Sequence, residues 1–143
     1  MIGIIASAIA GAAMSIQGVF NARLADKIGL FESNAFVQGT AFVLSLLVMW
    51  WFGDGSLNKL GETNKLYWLG GVIGVIITVT VMIGMQHMSP VVTVSVILVA
   101  QLLVAALIDA FGLFGTERMA FGWQKFAGLG LMLSGIILFK LKG

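Results

Sequence analysis

The chain has 143 residues, 59% of them hydrophobic and 10% charged, with a mean hydropathy of +1.06. A soluble core of that length cannot hide so much apolar surface, because too little polar surface remains to coat the outside, so lipid must be the solvent for most of the chain. Eight Lys and Arg against six Asp and Glu make no basic patch for nucleic acid, the lack of cysteine removes disulfides and thiolate metal sites, and a lone histidine, His87, gives no metal site, so neither metal nor cofactor is expected.

Apolar stretches long enough to cross a hydrocarbon core of about 30 Å predict five helices in one transmembrane domain, at 2–21, 34–52, 67–86, 91–111 and 121–139. The first carries Ala6-Ser7-Ala8, similar to a signal-peptide cleavage site. No Lys or Arg precedes Arg23, however, and the apolar run continues to Phe20, so a retained helix is predicted. The polar segment NARLADKIGLFES (21–33) is expected to connect the first two helices. GDGSLNKLGETNK (53–65) reads as a water-exposed loop. His87-Met88-Ser89-Pro90 is a tight turn whose proline suits the opening of the next helix, and GTERMAFG (115–122) separates the last two. Backbone groups cannot stay unpaired in lipid, and the runs lack the strict alternation of a barrel strand, so the fold class is an all-α membrane protein.

With the N-terminus on side A, five crossings put Lys59, Lys65, Arg118 and Lys125 on that side. Arg23, Lys27, Lys140 and Lys142 fall on side B, also four. Orientation is set by a Lys/Arg difference between sides, and here there is none. The expectation is dual topology: copies insert both ways and pair as an antiparallel homodimer, giving a ten-helix inverted-repeat transporter from one short chain. The aromatic residues agree, since Trp50, Trp51, Tyr67, Trp68 and Trp123 fall at side-A helix ends while side B has only phenylalanines such as Phe20 and Phe31.

Small residues let helices approach closely in lipid. Gly3, Ser7, Gly11 and Ser15 recur at four-residue spacing on the first helix, followed by Gly18; Gly70, Gly74 and Thr78 mark the third, and Gly128 and Gly135 the fifth. Packing is the expected role of Gly11, Gly18, Gly74, Gly128 and Gly135, with Gly11 and Gly18 also placed to make way for substrate. Polar side chains at membrane depth face a partner or a cavity. Gln17 and Asn21 are four apart on the first helix, Asn34 and Gln38 four apart on the second, and Gln101 sits midway along the fourth. Gln and Asn offer donors and an acceptor without ionising, so Gln17, Asn21, Gln38 and Gln101 are the expected contacts for a neutral or zwitterionic solute. Interhelical bonding is the alternative for each, and the preferred one for Asn34. Glu32 opens the second helix, where the dipole favours an acid. Asp109 ends the fourth. In an opposed pair Asp109 of one copy reaches the depth of Arg23 and Glu32 of the other, so Arg23, Asp109 and Glu32 are read as gate or assembly charges; a solvated helix-end residue is the alternative for both acids and the preferred one for Glu32.

The segments SIQGVFNARL (15–24), ESNAFVQGTAFVLSLL (32–47), AQLLVAALIDAFGLFG (100–115) and GLGLMLSGIILF (128–139) resemble the YdcZ-like family of short bacterial membrane proteins in the drug/metabolite transporter superfamily. The spacing of Gln101, Asp109 and Gly112 is the most specific part of the likeness; Ala100 and Ala110 stand where the family pattern usually has glycine and histidine. The resemblance implies a multi-pass half-transporter of the bacterial inner membrane, paired with an opposed second copy or a homologous opposed partner. It also implies kinship with the small multidrug resistance exporters. Their proton-coupling glutamate has no counterpart on the first helix here, which carries Gln17.

The expected function is therefore transport of a small organic solute by alternating access across the lipid bilayer, through a polar uncharged site near the midplane. A dual-topology ion channel and a non-transporting scaffold subunit are the alternatives. No nucleophile–base–orienter set suggests an enzyme.

Overall fold

At the centre of a bilayer no water is available to bond a peptide group, so each span has to satisfy its own backbone. The computed structural model describes residues 1–119 and 122–141, without the side chains of 125, 140 and 141. It is 88% helix, and among the described residues there is no strand, which leaves helices as the membrane-crossing elements. Two compact units divide the chain, Met1–His87 and Met88–Gly143.

In the first unit, α1 (Ile2–Ile28), α2 (Leu30–Phe52) and α3 (Gly70–His87) each pack against the other two. The expected polar connection at 21–33 is corrected here: α1 runs on to Ile28, and α2 begins two residues later. The charged residues at 23, 26 and 27 mark where the helix leaves the hydrocarbon and not where it ends, since Ala22, Arg23, Ala25 and Lys27 are helix formers at least about as good as Leu and outweigh the weaker Asp26. At 27 residues α1 is about 40 Å long, more than a 30 Å core needs, so its last turns reach the headgroup region.

One residue makes the break. Gly29 has φ 101° and ψ 155°, a conformation that is essentially glycine's alone. Its N–H donates to the Ala25 carbonyl at 3.0 Å and its own carbonyl accepts from the Ser33 N–H at 3.0 Å, so it closes one helix and opens the next. The Glu32 carboxylate folds back over it, where a Cβ would stand.

Between α2 and α3 the expected water-exposed loop contains two 3₁₀ turns, Leu57–Glu62 and Lys65–Leu69. Asn64 caps the second, its Oδ1 accepting from the Leu66 N–H at 3.0 Å, and Trp68 Nε1 donates to Thr63 Oγ1 at 3.0 Å. Trp50, Trp51, Tyr67 and Trp68 are exposed around this end, the position of an interfacial aromatic belt.

Burial in this unit is confined to the opposite end. Gly18, Asn21, Ala22 and Ala25 of α1 meet Ser33 and Asn34 of α2 and Met82 of α3 there, whereas residues 1–14 and 39–73 are exposed throughout.

The second unit pairs α4 (Pro90–Phe111) with α5 (Trp123–Leu141). Ser89 caps α4, with Pro90 in its first turn. Gly112 ends it in the left-handed conformation (φ 63°), donating its N–H to the Ile108 carbonyl. Phe114 (φ 57°) and Gly115 (φ 81°) continue the reversal through a short 3₁₀ turn. The expected start of the fifth span at 121 lies outside the described residues, as does Lys142. Ile2–Ile28, Leu30–Phe52, Lys65–His87 and Pro90–Phe111 are long and apolar enough to cross a membrane; α5 adds the shorter apolar run Phe126–Phe139.

Gly29→Ala is expected to destabilise the purified protein by about 1–3 kcal/mol, because a side chain both forbids the backbone conformation and displaces the Glu32 carboxylate. Equilibrium unfolding in detergent measures this; unchanged stability would remove Gly29 as the element that fixes the α1–α2 turn.

Candidate functional site

The polar residues of the first unit gather along the line where its three helices meet. Gln38 is half-buried on α2, and its Nε2 donates to Thr78 Oγ1 of α3 at 3.2 Å; Thr78 Oγ1 in turn donates to the Gly74 carbonyl at 2.9 Å. A Cβ on Gly74 would stand 4.0 Å from Gln38 Nε2, an ordinary contact, so the bond does not depend on this glycine. A hydrogen bond of this kind between membrane helices is worth about 0.6–2 kcal/mol.

One turn nearer the Gly29 end, Asn21 is buried and its main-chain oxygen accepts from Ser33 Oγ at 3.3 Å. Asn34 is buried beside it with no hydrogen-bond partner for its Oδ1 among the described residues. At the rim, Gln86 of α3 donates through Nε2 to Asp26 Oδ1 of α1 at 2.8 Å. Arg23 Nη1 is 3.7 Å from Asp26 Oδ2, an exposed pair within one helix that adds little to stability. His87 lies at the end of α3 with Nδ1 2.8 Å from the Ile83 carbonyl.

The remaining expected contacts lie elsewhere. Gln17 is exposed on α1, one turn from Asn21 but outside the buried cluster. Gln101 is exposed at the middle of α4, in a helix whose neighbouring residues are nearly all apolar, and takes no cover from α5 within its own unit. Asp109 is half-buried in the last turn of α4; its main-chain oxygen accepts from the Met119 N–H at 2.9 Å, while Arg118 Nε donates to the Ala110 carbonyl at 3.0 Å. Gly112, the third residue of the Gln–Asp–Gly pattern, serves as the helix stop.

The glycines divide in the same way. A Cβ on Gly18 would meet Met85 Cε at 2.9 Å and Val81 Cγ1 at 3.2 Å, so this glycine lets α1 lie close against α3. At Gly11, Gly128 and Gly135 no described atom comes within 4 Å of such a Cβ. Sequence reasoning missed Ser33, Asp26 and Gln86. Nothing local distinguishes them from ordinary polar residues at helix ends, because the bond from Gln86 to Asp26 joins residues 60 positions apart.

A helical bundle whose spans expose nearly all their apolar side chains and carry uncharged amides at membrane depth is a polytopic membrane protein. The model of the family described as "Putative inner membrane exporter, YdcZ" matches residues 2–138, and the chain belongs to that family. It is a multi-pass protein of the inner membrane, and the family description is that of a transporter and not of an enzyme. Searches of curated proteins and of solved structures found no match.

Two substitutions separate packing from chemistry. Gly18→Leu is expected to lower stability by about 1–3 kcal/mol through overpacking against Val81 and Met85, while Gly11→Leu leaves the fold of the protomer unchanged. Thermal unfolding in detergent reads both, and equal behaviour of the two variants would be the contrary result. Asn34→Leu, which removes a buried acceptor with no partner among the described residues, is expected to leave stability unchanged or to raise it; a clear loss would mean that Oδ1 has a bonding partner in solution.

Proposed function

We propose that the protein exports a small neutral or zwitterionic organic solute by alternating access, working as a pair of oppositely inserted protomers. The observation that carries this reading is the exposure of Gln17 and Gln101 in otherwise apolar spans. An amide facing hydrocarbon is costly, so such groups call for a second protein surface or a polar ligand near the midplane. Gln38, bonded to Thr78 within the protomer, and the buried Asn21 extend the same polar lining.

Opposed pairing follows from the even division of Lys and Arg, which gives insertion no preferred direction. Two such copies form an inverted repeat, the architecture in which a central site is opened to alternate sides by exchanging the conformations of two equivalent halves. The first unit has a suitable shape for such an exchange: it is tied at the Gly29 end and exposed on its helix faces at the other. In the opposed arrangement Asp109 of one copy and Arg23 of the other come to the same depth. The weak pairing of Arg23 to Asp26 leaves its guanidinium available as a gate or assembly charge.

The test forces orientation. Extra lysines placed in the 53–65 loop of one variant, and at the 21–33 segment of a second, should lock the chains in opposite directions. Each alone is expected to lose at least about tenfold in export, and co-expression of the two is expected to restore it. Activity of either locked variant alone would end the paired reading. Flux in liposomes that fails to saturate with solute would point to a channel.

A further inference from the structure

The connection between α2 and α3 has the polarity of a water-exposed loop but not the surface of one. Its first 3₁₀ turn, Leu57–Glu62, has three residues per turn, so Leu57 stacks over Leu60, Asn58 over Gly61 and Lys59 over Glu62. One ridge is apolar and two are polar or bare. Leu57 is 70% exposed and Leu60 49%, and the second turn, Lys65–Leu69, stacks the exposed Leu66 and Leu69 in the same way. We propose that this connection docks on phospholipid: it lies along the headgroup–hydrocarbon boundary with Leu57 and Leu60 inserted among the upper acyl carbons. This surface is separate from the transport site, and it does not depend on how the copies pair.

Both ends of the connection are already at that boundary. Counted from His87, the 18 residues of α3 reach about 27 Å, short of a hydrocarbon core of about 30 Å, so the Lys65–Leu69 turn is needed to complete the span. On the other side α2 ends in the exposed aromatic residues Trp50, Trp51 and Phe52. Trp68 Nε1 donates to Thr63 Oγ1 at 3.0 Å, and Thr63 Oγ1 donates to the Leu60 carbonyl at 2.8 Å. This chain of bonds holds the end of the first turn beside Trp68, at the depth of the aromatic belt. It also satisfies the indole N–H and the hydroxyl without water, as a group entering the boundary requires.

The leucine ridge is therefore continuous with a surface that already meets lipid. Asp54 and Glu62 balance Lys59 and Lys65, so the segment has no net charge and the attraction is apolar, with no call for an anionic lipid. Lysine stems are long enough to return their ammonium groups to the headgroups.

The chain has no cysteine, so Leu57→Cys, Asn58→Cys, Lys59→Cys and Leu60→Cys each supply a single site for a nitroxide label. The labelled full-length protein is placed in phosphatidylcholine nanodiscs, whose two faces are both open to solution. Collision with oxygen, which concentrates in lipid, is compared with collision with a water-soluble nickel chelate. The oxygen-to-nickel ratio is expected to be at least about fivefold higher at 57 and 60 than at 58 and 59. Four labels equally open to nickel would put the connection in water and overturn the proposal. Labels at 57 and 60 shielded from both reagents would mean that protein covers the ridge, which overturns it too. A contrast that appears only after anionic lipid is added would replace apolar docking with charge attraction, the third contrary result. A chain found to insert in one direction only would defeat the paired exporter and leave this test untouched.

Discussion

Self-sufficiency of the backbone in lipid is the condition on which the remaining features depend. A soluble helix of this length owes most of its stability to a buried face. Here the helices hold without one, and the buried apolar residues among those described are Ala22, Ala25, Met82 and Val99. Hydrophobicity also provides no attraction between helices once both are dissolved in lipid, so association has to come from close packing and from hydrogen bonds. Both occur in the first unit: Gly18 brings α1 against α3, and Gln38–Thr78, Ser33–Asn21 and Gln86–Asp26 tie the helices pairwise. A single-residue turn at Gly29 adds a covalent constraint at the same end. The helices are therefore held as a group where polar and small residues coincide, and they present bare apolar faces where these are missing.

Polar residues consequently fall into two kinds. Gln38 with Thr78, Ser33 with the Asn21 carbonyl and Gln86 with Asp26 pair inside the first unit and are explained by the assembly of the protomer. Gln17 and Gln101 have no such explanation, because neither is enclosed by its own unit. The cost of leaving an amide in hydrocarbon makes an unexplained polar side chain more informative in a membrane protein than in a soluble one, where water would cover it.

How much of this was legible in the sequence depends on the physical scale of each feature. The all-helical class and the position of the spans follow from hydropathy, which reports the solvent of each segment directly. Helix ends do not: the polar residues from Asn21 to Lys27 signal departure from hydrocarbon, while the backbone continues in helix until Gly29 interrupts it. The Gln38–Thr78 pairing could not be read from spacing, which places Gln38 and Asn34 on one face of α2 but says nothing about what faces them. Gly112 shows the reverse case. Its place in the Gln–Asp–Gly pattern carried the family likeness, and the structure gives it a local duty, the left-handed end of α4.

The two acidic residues at helix ends make the last distinction. Glu32 stands in the first turn of α2, where the helix dipole attracts an acid, and its carboxylate folds over Gly29. Local helix stability accounts for it, and no ligand is required. Asp109 stands in the last turn of α4, where the same dipole repels an acid by a few tenths of a kcal/mol to about 1 kcal/mol. Helix stability therefore argues against aspartate at 109, yet the side chain also borders an apolar groove in which a carboxylate is costly in a second way. Two independent penalties fall on one position, so the helix that carries this acid does not explain it. Glu32 belongs to the architecture of its own helix start, whereas the dipole of α4 gives no such account of Asp109.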